Sequence, residues 1–106
     1  MAKYLFQGSY TVEGLKGLIK EGGTGRREAT ENLAKSLGGK VEAYYFAFGG
    51  NDFYVIVDLP DNVSSCAAAL MGNASGAIKC QTVVLLTPEE VDKAVKTKVD
   101  YRPPGQ

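Results

Sequence analysis

The segment from Lys40 to Leu59 most constrains the fold, because it contains two apolar runs joined by a glycine-rich connection. Both runs are dense in aromatic and β-branched residues, which suit the surface of a pleated sheet. Between the runs, the residues Gly49-Gly50-Asn51-Asp52 are expected to supply the positive φ angles of a tight turn. The pattern therefore predicts an antiparallel β-hairpin.

This hairpin is apolar on both faces when it is read at a period of two. The first strand places Val41, Ala43, Tyr45 and Ala47 on one face and Tyr44, Phe46 and Phe48 on the other. In the second strand, Phe53, Val55, Val57 and Leu59 alternate with Tyr54 and Ile56. A face in contact with water should be polar, yet acidic residues stand only near the ends, at Glu42, Asp52 and Asp58. We therefore expect a second subunit to cover the face that the chain's own helices leave open.

Length and charge restrict the classes of partner. The 106 residues are predicted to form one domain, residues 1–106, with an extended tail over residues 99–106. Twelve basic and twelve acidic residues leave no net charge. Nucleic acids and anionic membranes both select a positive surface, so neither is expected as a partner. A chain without net charge associates with itself more readily.

The absence of histidine excludes several chemistries. Histidine is the commonest metal ligand and the usual acid–base catalyst near neutral pH. Its absence excludes Ser-His-Asp and Cys-His catalysis within one chain and a haem held by a proximal histidine. Two well-separated cysteines, Cys66 and Cys80, do not suit a zinc site. We therefore predict neither a metal nor a cofactor.

Cysteine content and the N-terminal sequence indicate a cytoplasmic protein. Cys66 and Cys80 stand at apolar positions of predicted elements, which is typical of buried, reduced thiols. The opening residues lack the long apolar core of a signal peptide. No apolar run approaches the ~20 residues that cross a bilayer.

The order of the predicted elements favours an α+β fold. Lys3 to Tyr10 reads as a strand, and residues 11–37 read as a helical layer that is broken at Gly22-Gly23-Thr24-Gly25. The hairpin, a helix after Asp61, a strand over residues 77–86 and a helix that begins at Thr87-Pro88 follow. This is the β-α-β-β-α-β order of a ferredoxin-like fold with an extra C-terminal helix.

Four segments resemble the GYD-domain family, which consists of small bacterial proteins of the dimeric α/β-barrel superfamily. They are KYLFQGSYT, GLKGLIKEGG with the arginines shortly after it, GGNDFYVIVDLPD and LLTPEEVDKA. The family's Gly-Tyr-Asp motif falls on Gly50-Asn51-Asp52, where asparagine replaces the tyrosine. The resemblance implies that the sheets of two copies pack together as a dimeric α/β barrel. It implies no established reaction.

Three residues are candidates for catalysis: Asp52, Tyr54 and Tyr10. Asp52 begins the third strand beside a glycine turn, where a desolvated carboxylate can act as a general base. The structural alternative is that Asp52 accepts hydrogen bonds from backbone N–H groups of the turn. Tyr54 or Tyr10 would orient the substrate.

A second group of residues is predicted to bind a ligand. Arg26 and Arg27 follow the glycine-rich break in the first helical layer, a position that can hold a carboxylate or phosphate. Alternatively, they pair with nearby acidic residues such as Glu28 or Glu31. Tyr44 and Phe46 belong to an aromatic-rich sheet that can form a flat pocket for a hydrophobic or aromatic molecule. The alternative role for most of these rings is core and dimer interface.

Three functional hypotheses follow. The first is a homodimer that binds a small hydrophobic or aromatic molecule, or has a structural role, without catalysing a reaction. The second is a cofactor-independent enzyme of monooxygenase or isomerase type that acts on an aromatic or enolisable substrate. The third is an assembly module whose tail, from Tyr101 to Gln106, contacts a neighbouring molecule.

Overall fold

The computed structural model describes all 106 residues and contains four strands and three helices. In chain order they are β1 (Ala2–Tyr10), α1 (Val12–Ser36), β2 (Lys40–Phe46), β3 (Phe53–Leu59), α2 (Asn62–Ala74), β4 (Ile78–Leu85) and α3 (Pro88–Lys96). This order confirms the predicted sequence of elements, including the C-terminal helix. None of the helices combines the length and the apolar character needed to cross a membrane.

The strands form one antiparallel sheet in the order β2-β3-β1-β4. The α+β class and the ferredoxin-like topology are thus as the sequence predicts. The sheet of the single chain is open, with β2 and β4 as its two edges.

One side of the sheet, termed the helix face, carries the core. Its buried side chains are Tyr4, Phe53, Val55, Val57 and Leu59, with Ala34 of α1 packed against them. The Tyr4 hydroxyl donates a hydrogen bond of 2.6 Å to Asn62 Oδ1, which ties the start of α2 to the sheet. Burial of these rings and branched chains supplies the hydrophobic stabilisation of the fold.

A β-bulge corrects the predicted alternation along β2. The pairing register shifts between Val41 and Ala43, so that Val41 lies opposite Val57 and Tyr44 lies opposite Val55. Because the bulge adds one residue to β2, Tyr44 and Phe46 lie on the helix face together with Val41. The strict period of two was wrong here.

The hairpin connection also differs from the prediction. Positive φ angles occur at Gly22, Gly38, Gly76 and Gly105, and not at Gly49 or Gly50. The connection is a wider loop from Ala47 to Asp52, and the Ala47 N–H donates to the Asp52 carbonyl at 2.8 Å. A loop of this length reverses the chain without a tight primed turn.

The helix ends follow the sequence signals. Thr11, Asp61 and Thr87 cap α1, α2 and α3, and Thr87 forms a reciprocal capping box with Glu90. Gly38 has a φ of 81° just after α1, as a C-terminal glycine cap requires. The predicted break in the first helical layer is a kink at Gly22, where φ is 82° and ψ is 165°.

The other side of the sheet, termed the open face, has no helix over it. The paired positions along it are Lys3, Leu5 and Gln7 of β1, Ala43 and Tyr45 of β2, Tyr54, Ile56 and Asp58 of β3, and Gln81, Val83 and Leu85 of β4. At one end, Lys3 Nζ bridges Glu42 at 2.6 Å and the buried Asp58 at 2.9 Å. The centre of the open face is apolar.

Candidate functional site

A cavity of about 510 Å³ lies between the helix face and helices α1 and α2. Gly14 and Gly17 of α1 and the small residues Ala68 and Ala69 of α2 line it, so no large side chain of those segments fills the space. The apolar walls are formed mainly by Phe6, Leu18, Leu33, Val55, Met71 and Ile78. A volume of this size accommodates a drug-sized molecule.

Polar side chains also line this cavity. Tyr10 at the end of β1 and Tyr44 of β2 both border it, as do Glu21 and Arg26 on either side of the α1 kink. Arg26 Nη1 lies 3.5 Å from Glu21 Oε2, at the outer limit for a hydrogen bond. The cavity therefore combines apolar walls with a few groups that donate or accept hydrogen bonds.

Tyr10 is held as a neutral phenol. Burial raises the pKa of Tyr10 far above its ordinary value of 10.0, and the neighbouring Tyr44 raises this pKa further. Its ring packs edge-on against Phe53, with ring centroids 5.5 Å apart. Tyr10 can therefore orient a polar ligand group by hydrogen bonding, but it does not act as a phenolate base near neutral pH.

The three residues predicted for catalysis do not converge. Asp52 Oδ2 accepts a hydrogen bond of 2.9 Å from the Tyr10 backbone N–H, and Asp52 does not line the cavity. Tyr54 lies on the open face, opposite Gln7 and Tyr45, and is thus on the other side of the sheet from Tyr10. A single substrate in the cavity cannot contact both Tyr54 and Tyr10.

Asp52 has a clear structural role in this geometry. Its backbone N–H donates to the Gly8 carbonyl at 2.7 Å while its carboxylate accepts from Tyr10. Together these bonds tie the end of the hairpin loop to β1. The partner of the carboxylate is thus the neighbouring strand, and not the turn itself as the structural alternative assumed. Asn51, at the position of the motif tyrosine, lies near the Tyr54 hydroxyl at 3.4 Å.

The predicted ligand-binding residues divide into two groups. Arg26 and Tyr44 line the cavity. Arg27 instead lies in a separate surface groove with Glu31 and Tyr45. Phe46 does not line the cavity. Its ring lies beside the kink in α1, because a Cβ placed at Gly23 would be 3.1 Å from Phe46 Cε2.

Sequence reasoning missed the residues that create the cavity. Gly17 leaves part of this space, but in the sequence it suggests only a weakened helix. Its place among the apolar residues of an amphipathic segment was the available signal, since a residue without a side chain leaves space beside a helix. Glu21 and Thr30 also line the cavity and carried no recognisable motif.

The two cysteines have different environments. Cys80 is half-buried in the cavity wall, and burial raises the pKa of its thiol. Cys66 is exposed on α2, so its predicted burial was wrong. No three His, Cys, Asp or Glu side chains come close enough together to hold a metal ion.

A family model for the GYD domain matches residues 4–95. The chain belongs to the GYD family. The match runs from within β1 nearly to the end of α3, so this GYD domain includes all the residues of the cavity and, apart from the first two residues of β1, every strand. Comparison of the chain with curated proteins and with solved structures gives no match.

Proposed function

We propose that this GYD-domain protein is a homodimer that binds a small hydrophobic or aromatic molecule without catalysing a reaction. The observation that carries the proposal is the apolar cavity of about 510 Å³ with Tyr10, Tyr44 and Arg26 in its lining. A ligand that packs against these apolar walls buries apolar surface, and its binding to the folded state stabilises that state.

The lining indicates the chemical character of the ligand. Its body is apolar and fits against Phe6, Val55 and Ile78. It carries one polar group, because the hydroxyl of the neutral Tyr10, beside Tyr44 in the lining, can form a further hydrogen bond to a ligand. An aromatic molecule with a hydroxyl or carbonyl group meets both requirements.

The homodimer is supported by the open face of the sheet. Tyr45 is 70% exposed there, and Tyr54 and Val83 are exposed by 39% and 38%. Leu5 and Ile56 lie opposite each other at the centre of the same face. Packing this face against that of a second copy removes these side chains from water. Two sheets arranged in this way form the dimeric α/β barrel that the family resemblance implies.

The alternative is a cofactor-independent enzyme acting on an aromatic or enolisable molecule. Its candidate base, Asp52, accepts a hydrogen bond from the Tyr10 backbone N–H and does not line the cavity. Tyr54 lies on the open face, on the other side of the sheet from the cavity. Binding without catalysis is therefore better supported. The free cysteines Cys66 and Cys80 accord with a cytoplasmic location, where thiols stay reduced.

Ligand binding is tested by filling the cavity from Gly17. A Cβ at Gly17 meets no atom within 4 Å, so a large side chain can enter the cavity without a backbone clash. We expect Gly17→Phe to weaken binding of aromatic fragments, with 2-naphthol as the first probe, at least tenfold. Gly17→Ala is the matched control and should bind within twofold of the wild type. Isothermal titration gives the affinities.

Amide NMR shifts locate the bound fragment. Shifts on 2-naphthol addition should cluster at Phe6, Leu33 and Ile78, which line the cavity. Equal affinity of Gly17→Phe and wild type, or shifts confined to the open face, would contradict a binding site in the cavity. Thermal unfolding of each variant checks that the fold is retained.

A further inference from the structure

The cavity has a polar end beside the kink in α1. Tyr10 and Tyr44 border this end from the sheet, and Glu21 and Arg26 border it from the two sides of the kink. Burial is the main cause of the raised pKa of Tyr10, and the neighbouring Tyr44 raises it further. The charge of Arg26 lowers this pKa and that of Glu21 raises it, so the four groups lie in one part of the cavity. The remaining lining is mainly apolar, so a ligand with one polar group binds with that group at the polar end.

Arg26 is the cation of the polar end. Of the charged residues that line the cavity, Glu13 and Glu21 are acidic and Arg26 is basic. A guanidinium has several N–H donors and stays charged at every ordinary pH. Its planar donors match the two oxygens of a carboxylate, with which arginine forms paired hydrogen bonds. The polar end therefore presents a group that prefers a carboxylate to a neutral acceptor.

The ion pair that Arg26 forms within the chain is loose. Arg26 Nη1 lies 3.5 Å from Glu21 Oε2, and Glu21 is its one acidic partner. Lys3 shows the contrast, since its Nζ contacts two carboxylates at 2.6 and 2.9 Å. The side chains of Arg26 and Glu21 are 39% and 35% exposed, and a water-accessible pair of this kind contributes little to stability. The pair can therefore open at little cost.

A ligand carboxylate can replace Glu21 as the partner of Arg26. The Glu21 side chain reaches water, so its charge remains solvated after the exchange. Tyr10 and Tyr44 can donate hydroxyl hydrogen bonds to the same carboxylate. Tyr10 keeps its proton for this purpose, because burial raises its pKa.

The charge of the lining favours a carboxylate over a phosphate. Arg26 is the one basic residue of the lining. A phosphate monoester carries about 1.5 to 2 negative charges at neutral pH, which a single cation does not offset. Glu13 precedes Glu21 by eight residues and is thus about 12 Å away along α1. It does not compete for Arg26, but it makes a second negative charge on the ligand less favourable.

We propose that the cavity selects an aromatic or hydrophobic carboxylic acid, whose carboxylate replaces Glu21 as the partner of Arg26 and accepts hydrogen bonds from the tyrosine hydroxyls. This inference rests on the binding function proposed above and names the polar group of the ligand. Arg26 is then the residue that determines specificity, and Glu21 is the group that the ligand displaces.

Two probes of the same shape test the carboxylate. 2-Naphthoate and 2-naphthamide share the aromatic rings and a planar substituent, but only 2-naphthoate is charged at neutral pH. We expect the wild type to bind 2-naphthoate about fivefold or more tightly than 2-naphthamide, because charge-assisted hydrogen bonds are the stronger ones. Added salt should reduce this preference, since water reaches Arg26. NMR titration gives both dissociation constants.

Arg26→Gln and Arg27→Gln form a matched pair of variants. Each removes one positive charge from adjacent positions of α1, but Arg26 lines the cavity and Arg27 lies in the separate groove. The affinities of Arg26→Gln for the two probes should differ less than twofold, whereas Arg27→Gln should keep the wild-type preference. Arg26→Lys should keep part of it, since lysine retains the charge without the planar donors.

Glu21→Gln tests the displaced partner. We expect it to increase the preference for 2-naphthoate about threefold, because the ligand no longer competes with a carboxylate of the chain. Glu28→Gln removes the same charge from an exposed position of α1 outside the cavity and should leave the preference unchanged. A Glu21→Gln protein with the wild-type preference would show that Glu21 is not displaced.

The remaining outcomes separate this inference from the binding function. If 2-naphthol binds in the cavity but the wild type does not prefer 2-naphthoate to 2-naphthamide, the carboxylate is overturned while the binding function stands. A preference that survives Arg26→Gln, or that Arg27→Gln removes equally, overturns the role of Arg26. If none of the three probes binds in the cavity, both proposals are wrong. Thermal unfolding checks that each variant is folded.

Discussion

At the scale of single residues, glycines in α1 have opposite functions. A Cβ at Gly14 would lie 1.9 Å from the Ala77 carbonyl oxygen, whereas a Cβ at Gly17 would meet nothing within 4 Å. Gly14 therefore permits the start of α1 to approach the chain just before β4. Gly17 leaves the space that forms part of the cavity.

Alanine substitution should separate these two glycines. Gly14→Ala introduces a clash with backbone and should lower the free energy of unfolding by about 1–3 kcal/mol. Gly17→Ala adds a methyl group that meets no other atom and favours the helix, so it should raise the free energy of unfolding by about 0.5–1 kcal/mol. Urea denaturation measures both values. Equal effects of the two substitutions would show that the close approach at Gly14 does not constrain α1.

Asp61 provides a pH-dependent contribution at the N-terminus of α2. Its carboxylate accepts 2.8 Å and 2.9 Å hydrogen bonds from the Ser64 N–H and hydroxyl, and these lower the pKa of Asp61 below its ordinary value of 3.8. A lowered pKa in the folded state means that this stabilisation is fully present above the unfolded pKa. It is lost as pH falls through the folded pKa.

Asp61→Asn should remove this pH dependence and keep the cap, since asparagine caps helices as well as aspartate. We expect the stability advantage of wild type over this variant to be largest above pH ~4 and to shrink at lower pH. Denaturation at pH 3 and pH 7 provides the comparison. A difference that grows on acidification would contradict the expectation.

At the scale of elements, the kink in α1 shapes the cavity. Gly22 has a φ of 82° and a ψ of 165°, a combination that is essentially restricted to glycine. The kink lies between Glu21 and Arg26, which both line the cavity. A straight α1 would move these two side chains relative to each other.

Gly22→Ala should therefore lower the free energy of unfolding by about 1–3 kcal/mol. If α1 straightens in this variant, the affinity for aromatic fragments should also fall. Gly17→Ala, in contrast, should leave that affinity nearly unchanged. Denaturation and fragment titration on the same variants separate the two effects. Unchanged stability and affinity would show that the backbone at Gly22 tolerates a side chain.

At the scale of the whole molecule, the central question is what covers the open face. Tyr45 projects from the edge strand β2 and is 70% exposed, which places an aromatic ring where a second sheet would pack. Tyrosine is enriched in interfaces because its ring is apolar and its hydroxyl is polar.

Tyr45→Glu should weaken the homodimer at least tenfold, because it places a charge in an interface that excludes water. Asn32→Glu introduces the same charge on exposed α1 and should leave the dimer unchanged. Light scattering coupled to size-exclusion chromatography reports the molar mass. A Tyr45→Glu protein that remains fully dimeric would exclude the open face as the interface.

The sequence by itself determined the element order, the helix caps and the class of fold. Capping residues such as Thr11 and Asp61 act on the first turn of a helix. The regular spacing of apolar residues along the helix is also a local pattern, so both features can be predicted from the sequence. The kink near Gly22 was also predictable, because a cluster of glycines interrupts a helical pattern.

Only the tertiary structure decided which side chains meet. The β2 bulge moved Tyr44 to the helix face, and the sheet placed Tyr54 on the opposite side from Tyr10. The pairing register that sets these faces depends on contacts between residues far apart in the chain, because one inserted residue reverses every side chain beyond it. The packing of α1 on the sheet likewise decides that Arg26 lines the cavity and Arg27 lies in a separate groove.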